Sequence, residues 1–379
     1  MNHGSFGACP RVVLERQSQL RAEMEAQPVR FLHRELEARL DVARAALAHV
    51  VGCNADDLAF VPNATTGVNT VLRSLAFAPG DEILITDHGY NACRNVVDYV
   101  AEQSGARVVT AKLPFPVASE DQLLTAVLAA VTERTRLVLI DHVTSPTGIV
   151  LPVAAIVAAL RERGIDTMVD GAHGPGMLPL DLDKLGAAYY TGNCHKWLCA
   201  PKGAALLHVR RDRQSQVRPS TISHGANDPR SGRSRFRLES DFLGTADYTA
   251  YLSVPTAIDF LRGLMPGGLP ALREHNRRLV LRGRDVLCAA LGIQKPVPDS
   301  CLGSLAAVPL PPATTAPDGP QALDPLHVAL WEEHRIEVPV MTMARTRPLP
   351  DLRLLRVAGQ AYNSPEQFEH LGKALKTIV

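Results

Sequence analysis

The sequence has no excess of either charge, no long apolar run and no closely paired cysteines. Its 379 residues hold 40 Lys and Arg against 39 Asp and Glu, so no basic surface is expected to bind nucleic acid or an acidic membrane. Charges and prolines interrupt the apolar stretches well short of the roughly 20 residues that span a bilayer. The seven cysteines are scattered without a C-x-x-C pair, and the start MNHGSFGACP is unlike a signal peptide. We therefore predict a cytoplasmic protein with no metal, no nucleic-acid partner and no membrane partner.

Two patterns divide the chain. Up to about residue 209, apolar strands such as DTMVD (166–170) alternate with amphipathic helices, which indicates a mainly parallel sheet covered on both faces. Further along come a long helix (255–291) with one interruption, a Pro-rich stretch (309–325), and then shorter strands and helices. Because a chain of this length commonly forms two lobes, we predict an α/β domain followed by a smaller α+β domain.

Three polar motifs fall where predicted strands end: NATTG (63–67), DGAH (170–173) and GNCHK (192–196). Ligands bind beyond the carboxyl ends of the strands in such sheets, so we expect the motifs to converge on one edge. Thr65 and Thr66 open a helix whose free N–H groups and hydroxyls can hold a phosphate, although threonine at a helix start is more often only a cap.

Asp170 and Lys196 each place a charge in an apolar setting. Asp170 ends an almost wholly apolar strand, and a carboxylate there requires a cationic partner. Lys196 adjoins Trp197 and Leu198, which favours a neutral, nucleophilic amine. A protonated pyridine nitrogen would pair with Asp170, and the aldehyde of the same cofactor would form a Schiff base with Lys196.

These motifs resemble those of the class V aminotransferase family of fold-type I pyridoxal-phosphate enzymes, and most of all its isopenicillin N epimerase-like branch. The matching stretches lie in the expected order: NHGSFGACP (2–10), NATTGVN (63–69), DHGYNA (87–92), HVTSPTG (142–148), VDGAHGPG (169–176), TGNCHKWLCAPKG (191–203), GT (244–245) and LRVAGQAYN (355–363). The resemblance implies a mainly parallel seven-stranded sheet sandwiched by helices. It further implies an N-terminal active-site segment (1–15), a large cofactor-binding domain (16–254) and a small C-terminal α+β domain (255–379).

The resemblance also implies how the cofactor, pyridoxal 5'-phosphate, is held. Lys196 would bind it covalently, Asp170 would pair with its pyridinium nitrogen, and His173 would approach its phenolic oxygen. Family members are homodimers with active sites shared at the interface. The residues implied to hold the phosphate are Thr65, Thr66 and His195, together with Gly244 and Thr245, which would reach the phosphate bound by the partner subunit.

For the amino-acid substrate, the resemblance implies that Arg356 clamps the carboxylate, a task suited to its planar guanidinium. Asn2 and His3 resemble the family's N-terminal active-site stretch. Relatives usually carry a further segment before this stretch, which favours a truncated chain or a misassigned start.

Several assignments have two interpretations. Either His88 or Tyr90 would lie on the face of the cofactor, and we favour Tyr90. Ser145 is either a residue near the cofactor ring or a turn residue before Pro146. Residues 222–240 predict a long loop, either an ordered active-site element or a mobile lid. Its arginines would meet a second substrate carboxylate or lie in solvent.

The predicted chemistry begins with removal of the substrate α-proton by Lys196. Return of a proton to the opposite face, with Tyr90 as a candidate acid/base, would make the protein an epimerase or racemase, which is our leading prediction. The alternative is C–S β-elimination from a cysteine conjugate or sulfoxide. Transamination and a non-catalytic binding module are disfavoured, the latter because Lys196, Asp170 and Arg356 are all present. No cysteine follows Cys301, which argues against a cysteine desulfurase.

Overall fold

A computed structural model describes residues 1–313, 323–344 and 350–378. In this part of the chain a seven-stranded sheet has the order β1-β7-β6-β5-β4-β2-β3. Only β7 is antiparallel to its neighbours, β1 and β6. The strands are β1 (Leu58–Val61), β2 (Glu82–Thr86), β3 (Arg107–Ala111), β4 (Thr135–Asp141), β5 (Asp166–Asp170), β6 (Tyr189–Asn193) and β7 (Ala205–Val209). The predicted fold class, an α/β architecture with a mainly parallel seven-stranded sheet, is confirmed.

Helices pack on both faces of this sheet and around the smaller one. They are α1 (His3–Phe6), α2 (Arg11–Ala26), α3 (Leu36–Val51), α4 (Ala64–Leu72), α5 (Asn91–Ser104), α6 (Glu120–Ala129), α7 (Val153–Glu162), α8 (Leu182–Leu185), α9 (Arg235–Asp241), α10 (Thr249–Leu252), α11 (Val254–Gly263), α12 (Gly268–Leu291), α13 (Pro325–His334) and α14 (Pro365–Ile378). Among the helices that the structure describes, none combines the length and apolar character needed to cross a membrane.

Alternation along the strands divides the core between the two faces of the sheet. Leu206 packs in one apolar cluster and Leu207 in the other, and Val138 and Leu137 are divided in the same way. Successive side chains of a strand point to opposite faces, so strands that are apolar throughout require cover on both sides. The helices between the strands provide that cover.

The second sheet is antiparallel and has the order β8-β10-β9, with β8 (Leu305–Leu310), β9 (Val340–Met343) and β10 (Leu352–Ala358). Phe368 of α14 is buried between this sheet's helices, against Gly283 of α12. Residues 314–322 of the predicted Pro-rich stretch lie outside the described residues. The domain boundaries at residues 15 and 254 stay predictions.

The prediction of a long loop over residues 222–240 is wrong for its last six residues. Residues Arg235–Asp241 form α9, which Ser234 caps by accepting a hydrogen bond from the Arg237 N–H at 3.2 Å. Arg237 itself is buried and donates to Asp41 at 2.5 Å and to Asp56 at 2.8 Å. Its charge is therefore neutralised inside the protein.

A methyl group added at Gly283 tests the packing of α12 on α14. It would overlap the Phe368 ring, so Gly283→Ala should lower the free energy of unfolding by about 1–3 kcal/mol. Gly263→Ala is the matched control, because its methyl would enter open space at the end of α11, and it should change stability by less than about 1 kcal/mol. Urea denaturation of both variants measures the difference. Equal stabilities would contradict the packing described.

Candidate active site

The three polar motifs meet at one edge of the large sheet. β5 ends at Asp170, and β6 ends at Asn193, three residues before Lys196. The Asn193 side chain accepts a hydrogen bond from the Ala64 N–H at 2.9 Å, which fixes the start of α4 beside β6. Convergence of these segments follows from the parallel strands, whose carboxyl ends lie at the same edge.

The Lys196 side chain is half-buried beside two aromatic side chains. Its Nζ lies 3.2 Å from Nε2 of His173, and the Trp197 indole donates to Nδ1 of the same ring at 3.2 Å. Because Nδ1 accepts a hydrogen bond, the neutral ring carries its hydrogen on Nε2, facing the amine. Burial, with a further contribution from the charge of Arg356, lowers the pKa of Lys196 to about 8. At pH 7.4 most of the amine is therefore still protonated, and about a fifth of it is neutral, far more than for an ordinary lysine.

Asp170 is buried and accepts hydrogen bonds from two uncharged donors. The Ala172 N–H donates to Oδ1 at 2.9 Å, and the Cys93 thiol donates to Oδ2 at 3.1 Å. In the described part of the chain, no lysine or arginine forms an ion pair with this carboxylate. Asp170 therefore has the capacity to accept a cationic ligand atom. Cys93 was not predicted from the sequence, because its contact depends on how α5 packs against β5.

A second carboxylate, Asp141, lies directly beside Asp170 and was also missed. The two residues end neighbouring strands in register. Burial, together with the charge of Asp170, raises the pKa of Asp141 well above its usual value, and Asp141 accepts a hydrogen bond from the Tyr90 N–H. An acid at the end of the apolar strand RLVLID is the same signal that identified Asp170 and would have found Asp141.

Tyr90 and His88 occupy different environments. Tyr90 is half exposed and lines a cleft of about 730 Å³ together with Ser145 and Arg356. His88 is buried, and its Nδ1 lies 3.0 Å from the Thr147 hydroxyl. These positions support the preference for Tyr90, whose role stays a prediction.

Arg356 is a buried cation that faces the cleft. Its guanidinium donates to the Ser145 carbonyl at 2.5 Å and to the Ser5 hydroxyl at 2.8 Å, and Ser5 donates to Asn2 Oδ1 at 2.5 Å. Within the described residues it forms no ion pair with a carboxylate. Burial lowers its pKa to about 10, so it stays charged at neutral pH. The group is therefore available for an anion, and Ser5, which the sequence did not single out, helps to orient it.

His3 contacts the backbone of Lys196 and the ring of Trp197. It is buried, its Nε2 donates to the Lys196 carbonyl at 3.0 Å, and its Nδ1 accepts from the Tyr362 hydroxyl at 2.8 Å. Its ring also packs 4.9 Å from that of Trp197, centroid to centroid. These contacts position Lys196; a direct role of His3 in substrate binding stays a prediction.

The residues predicted to hold a phosphate fall into two groups. Thr65, Thr66 and His195 lie near the start of α4 and the end of β6; Nδ1 of His195 donates to the Ala204 carbonyl at 3.2 Å. Gly244 and Thr245 instead line a separate cleft with Phe60 and Tyr251. The structure therefore does not bring them to Lys196 within one chain.

Comparison with known proteins identifies relatives over the whole chain. The family model described as aminotransferase class-V matches residues 7–371. Isopenicillin N epimerase from Amycolatopsis lactamdurans is 38% identical, and the alignment covers 100% of this chain and 94% of the relative. L-cysteine desulfhydrase from Arabidopsis thaliana is 27% identical, covering 100% of this chain and 87% of the relative. The solved structure of the cystine C-S lyase C-DES with cysteine persulfide superposes with a TM-score of 0.78 at 23% identity, covering 99% of this chain and 96% of that one.

The raised pKa of Asp141 predicts that the stability difference between wild type and Asp141→Asn depends on pH. A carboxyl group whose native pKa is raised destabilises the fold as pH rises above its unfolded pKa of about 4, because the native state then holds more protons than the unfolded state. Asp141→Asn removes this loss, so we expect the variant to gain stability relative to wild type between pH 4.5 and pH 8, by about 1.4 kcal/mol for each unit of the pKa difference.

Urea midpoints of the ligand-free proteins at several pH values measure this effect. Asp98→Asn, a change of an exposed aspartate on α5, is the matched control and should show no such trend. A constant difference between Asp141→Asn and wild type across this range would contradict a raised pKa.

Proposed function

The chain belongs to the class V aminotransferase family, and from this premise we propose that it is an epimerase or racemase acting at the α-carbon of an amino acid. Dependence on pyridoxal phosphate and enzymatic activity come with the family. One observation carries the proposal: the Lys196 amine, with a pKa lowered to about 8, shares an active site with Arg356, a buried cation available for an anion.

The described residues fit the cofactor. Asp170 offers a buried carboxylate for the pyridine nitrogen, and Lys196 offers the amine that binds the aldehyde. The Nε2 hydrogen of His173 is available to a phenolic oxygen beside Lys196. For the phosphate, the start of α4 offers the hydroxyls of Thr65 and Thr66, while the Ala64 and Thr66 N–H groups there already donate to Asn193 and Asn63. When bound, pyridoxal phosphate withdraws electrons from the substrate α-carbon and makes its proton acidic.

The protein's own groups would then move the proton. Arg356 binds the substrate carboxylate, and its contacts with Ser145 and Ser5 fix the direction of the guanidinium. Nζ of Lys196 accepts the α-proton on one face, for which a neutral amine is required. His173, fixed by the Trp197 indole, and His3, bonded to the Lys196 carbonyl, keep this nitrogen in place. Tyr90 is the candidate donor on the opposite face.

Identity to the relatives favours epimerisation over elimination, and the charge of the cleft indicates the class of substrate. The epimerases are 36 and 38% identical to this chain, whereas the plant proteins named as L-cysteine desulfhydrases are 27 to 33% identical. The cleft next to Arg356 is also lined by Arg94 and Lys112, with Asp87 as its acidic residue. Asp87 is engaged by the Leu113 N–H at 2.9 Å. This surplus of positive charge suits a substrate that carries an anionic group beyond its α-carboxylate.

C–S β-elimination is the second candidate, supported by the desulfhydrases among the relatives. Both reactions begin with removal of the α-proton, so the residues around Lys196 serve either one. The reactions differ in what leaves: an epimerase returns a proton to carbon, while a lyase expels sulfur and releases pyruvate and ammonia.

The purified enzyme in deuterated water distinguishes the two reactions. With L- and D-amino acids of varied charge and with cysteine conjugates, we expect deuterium at the α-carbon and formation of both stereoisomers without pyruvate. Chiral chromatography and mass spectrometry measure the exchange, and a pyruvate assay measures elimination. Pyruvate from a cysteine conjugate at a rate above that of any exchange would replace the epimerase proposal by the lyase.

Variants of Lys196 and Arg356 distinguish a role in cofactor binding from a role in substrate binding. Lys196→Ala should lose both exchange and the cofactor mass that borohydride fixes to wild type, while Lys184→Ala, a change of an exposed lysine on α8, should keep both. Arg356→Gln should keep the fixed cofactor and raise KM by about 100-fold, as expected for loss of a charge-assisted hydrogen-bonded pair of about 3 kcal/mol. Fixed cofactor at wild-type level in Lys196→Ala would contradict the assignment of Lys196.

We further propose a cytoplasmic homodimer in which Gly244 and Thr245 serve the partner subunit. The support is that both residues line a cleft separate from Lys196 within one chain.

Mixed dimers test this sharing. Thr245→Val should weaken cofactor binding, and Lys196→Ala should abolish its fixation. If Thr245 serves the partner, a mixed dimer has one site with both changes and one site with neither. After random reassortment of equal amounts of the two variants, about a quarter of all sites should therefore regain cofactor affinity and α-proton exchange. An affinity tag on one of the two variants, with co-purification of the other, is the control for subunit exchange. If the control shows mixed dimers but neither cofactor affinity nor α-proton exchange recovers, Thr245 acts within its own chain.

A further inference from the structure

A group of three metal-ligating side chains lies away from the active site. Asp57 precedes β1, Asp183 is in α8 and His208 is in β7, and one ligand atom from each lies within 4.8 Å of the other two. β7 runs opposite to β6, and His208 pairs with Tyr190 near the start of β6. The group therefore lies toward the edge of the sheet opposite the carboxyl ends of β5 and β6.

His208 is the unusual member of this group. Its side chain is 3% exposed, yet neither ring nitrogen has a hydrogen-bond partner among the described residues. Nε2 lies 3.7 Å from Asp183 Oδ1, beyond hydrogen-bond distance. A buried nitrogen without a partner is costly, so a ligand at this position would satisfy it.

Both carboxylates are held in place by other contacts. Asp57 is buried, and its Oδ1 accepts from Gln214 Nε2 at 2.7 Å and from Arg211 Nε at 3.2 Å. Asp183 is exposed; its Oδ2 accepts from the Asn54 N–H at 3.1 Å, while Oδ1 is the oxygen nearest His208. Such supporting bonds orient metal ligands in known sites. The exposed side of Asp183 provides a path from solvent.

We propose that Asp57, Asp183 and His208 bind a zinc ion. One imidazole nitrogen and two carboxylate oxygens are ligands that Zn²⁺ accepts, and three protein ligands leave a fourth position for water. The positive charge of Arg211 beside Asp57 opposes a cation, but its side chain is largely exposed and is free to turn outward. The ion would join the start of β1, α8 and β7, so its role is structural. The sequence predicted no metal, because the three ligands lie far apart in the chain.

Zinc binding by the cofactor-loaded enzyme tests the proposal. After treatment with a chelator, the enzyme is dialysed against Zn²⁺, and bound zinc and the thermal unfolding midpoint are measured. We expect wild type to bind zinc that His208→Gln does not bind, with a higher midpoint in zinc for wild type alone. His370→Gln, a change of an exposed histidine on α14, is the matched control and should behave as wild type.

Asp183→Asn is a second test in case the buried change His208→Gln prevents folding, because Asp183 is exposed and its substitution should leave the fold intact. It should weaken zinc binding by at least about tenfold, in line with measured losses at known sites. The visible absorption of the bound cofactor should stay unchanged in all these titrations, which separates this site from Lys196. The same zinc content in wild type, His208→Gln and Asp183→Asn would overturn the proposal. So would the absence of zinc from wild type at micromolar Zn²⁺.

Discussion

Burial of the Lys196 amine is the constraint on which the rest of the active site depends. An ammonium group is costly to bury, and here burial lowers its pKa to about 8. An amine in this state is useful only if it is held in one place. His173, fixed by the Trp197 indole, contacts the nitrogen itself, and His3 binds the backbone carbonyl of the same residue. The N-terminal helix α1 is therefore part of the active site, although it lies nearly two hundred residues away in the sequence.

The charges around this amine are arranged on two sides. Asp141 and Asp170 end neighbouring strands of the large sheet, while Arg356 comes from the small sheet. Two adjacent buried carboxylates repel each other, and the raised pKa of Asp141 reduces this repulsion by favouring its neutral form. A cationic partner is then needed only by Asp170. Under the proposed function, the large sheet would offer an anion to the cofactor, and the small sheet would offer a cation to the substrate.

Sequence reasoning found the residues whose own surroundings in the chain were unusual. Lys196 next to Trp197, and Asp170 at the end of an apolar strand, are visible without a structure because their local environment conflicts with their charge. The strand DTMVD was placed correctly for the same reason, since its apolar run ends at that charge. Ser5 and Cys93 could not be found in this way. Each is an ordinary polar residue in its own segment, and its importance comes from a contact across the fold, to Arg356 and to Asp170.

The arginines of residues 222–240 show how a contact across the fold changes an interpretation. In the sequence they resemble a basic loop free to meet a substrate anion. In the structure, Arg233 and Arg237 bind Asp41 of α3, and Arg230 binds Glu37 of the same helix at 2.8 Å. Their charges are therefore balanced by the protein. They are therefore not available to a substrate anion. In the cleft lined by Arg356, Arg94 and Lys112, by contrast, positive charge exceeds negative charge. Under the proposed function, charge specificity would come from Arg94 of α5, Lys112 after β3 and Arg356 of the small sheet. The basic segment 222–240 instead attaches α9 to α3.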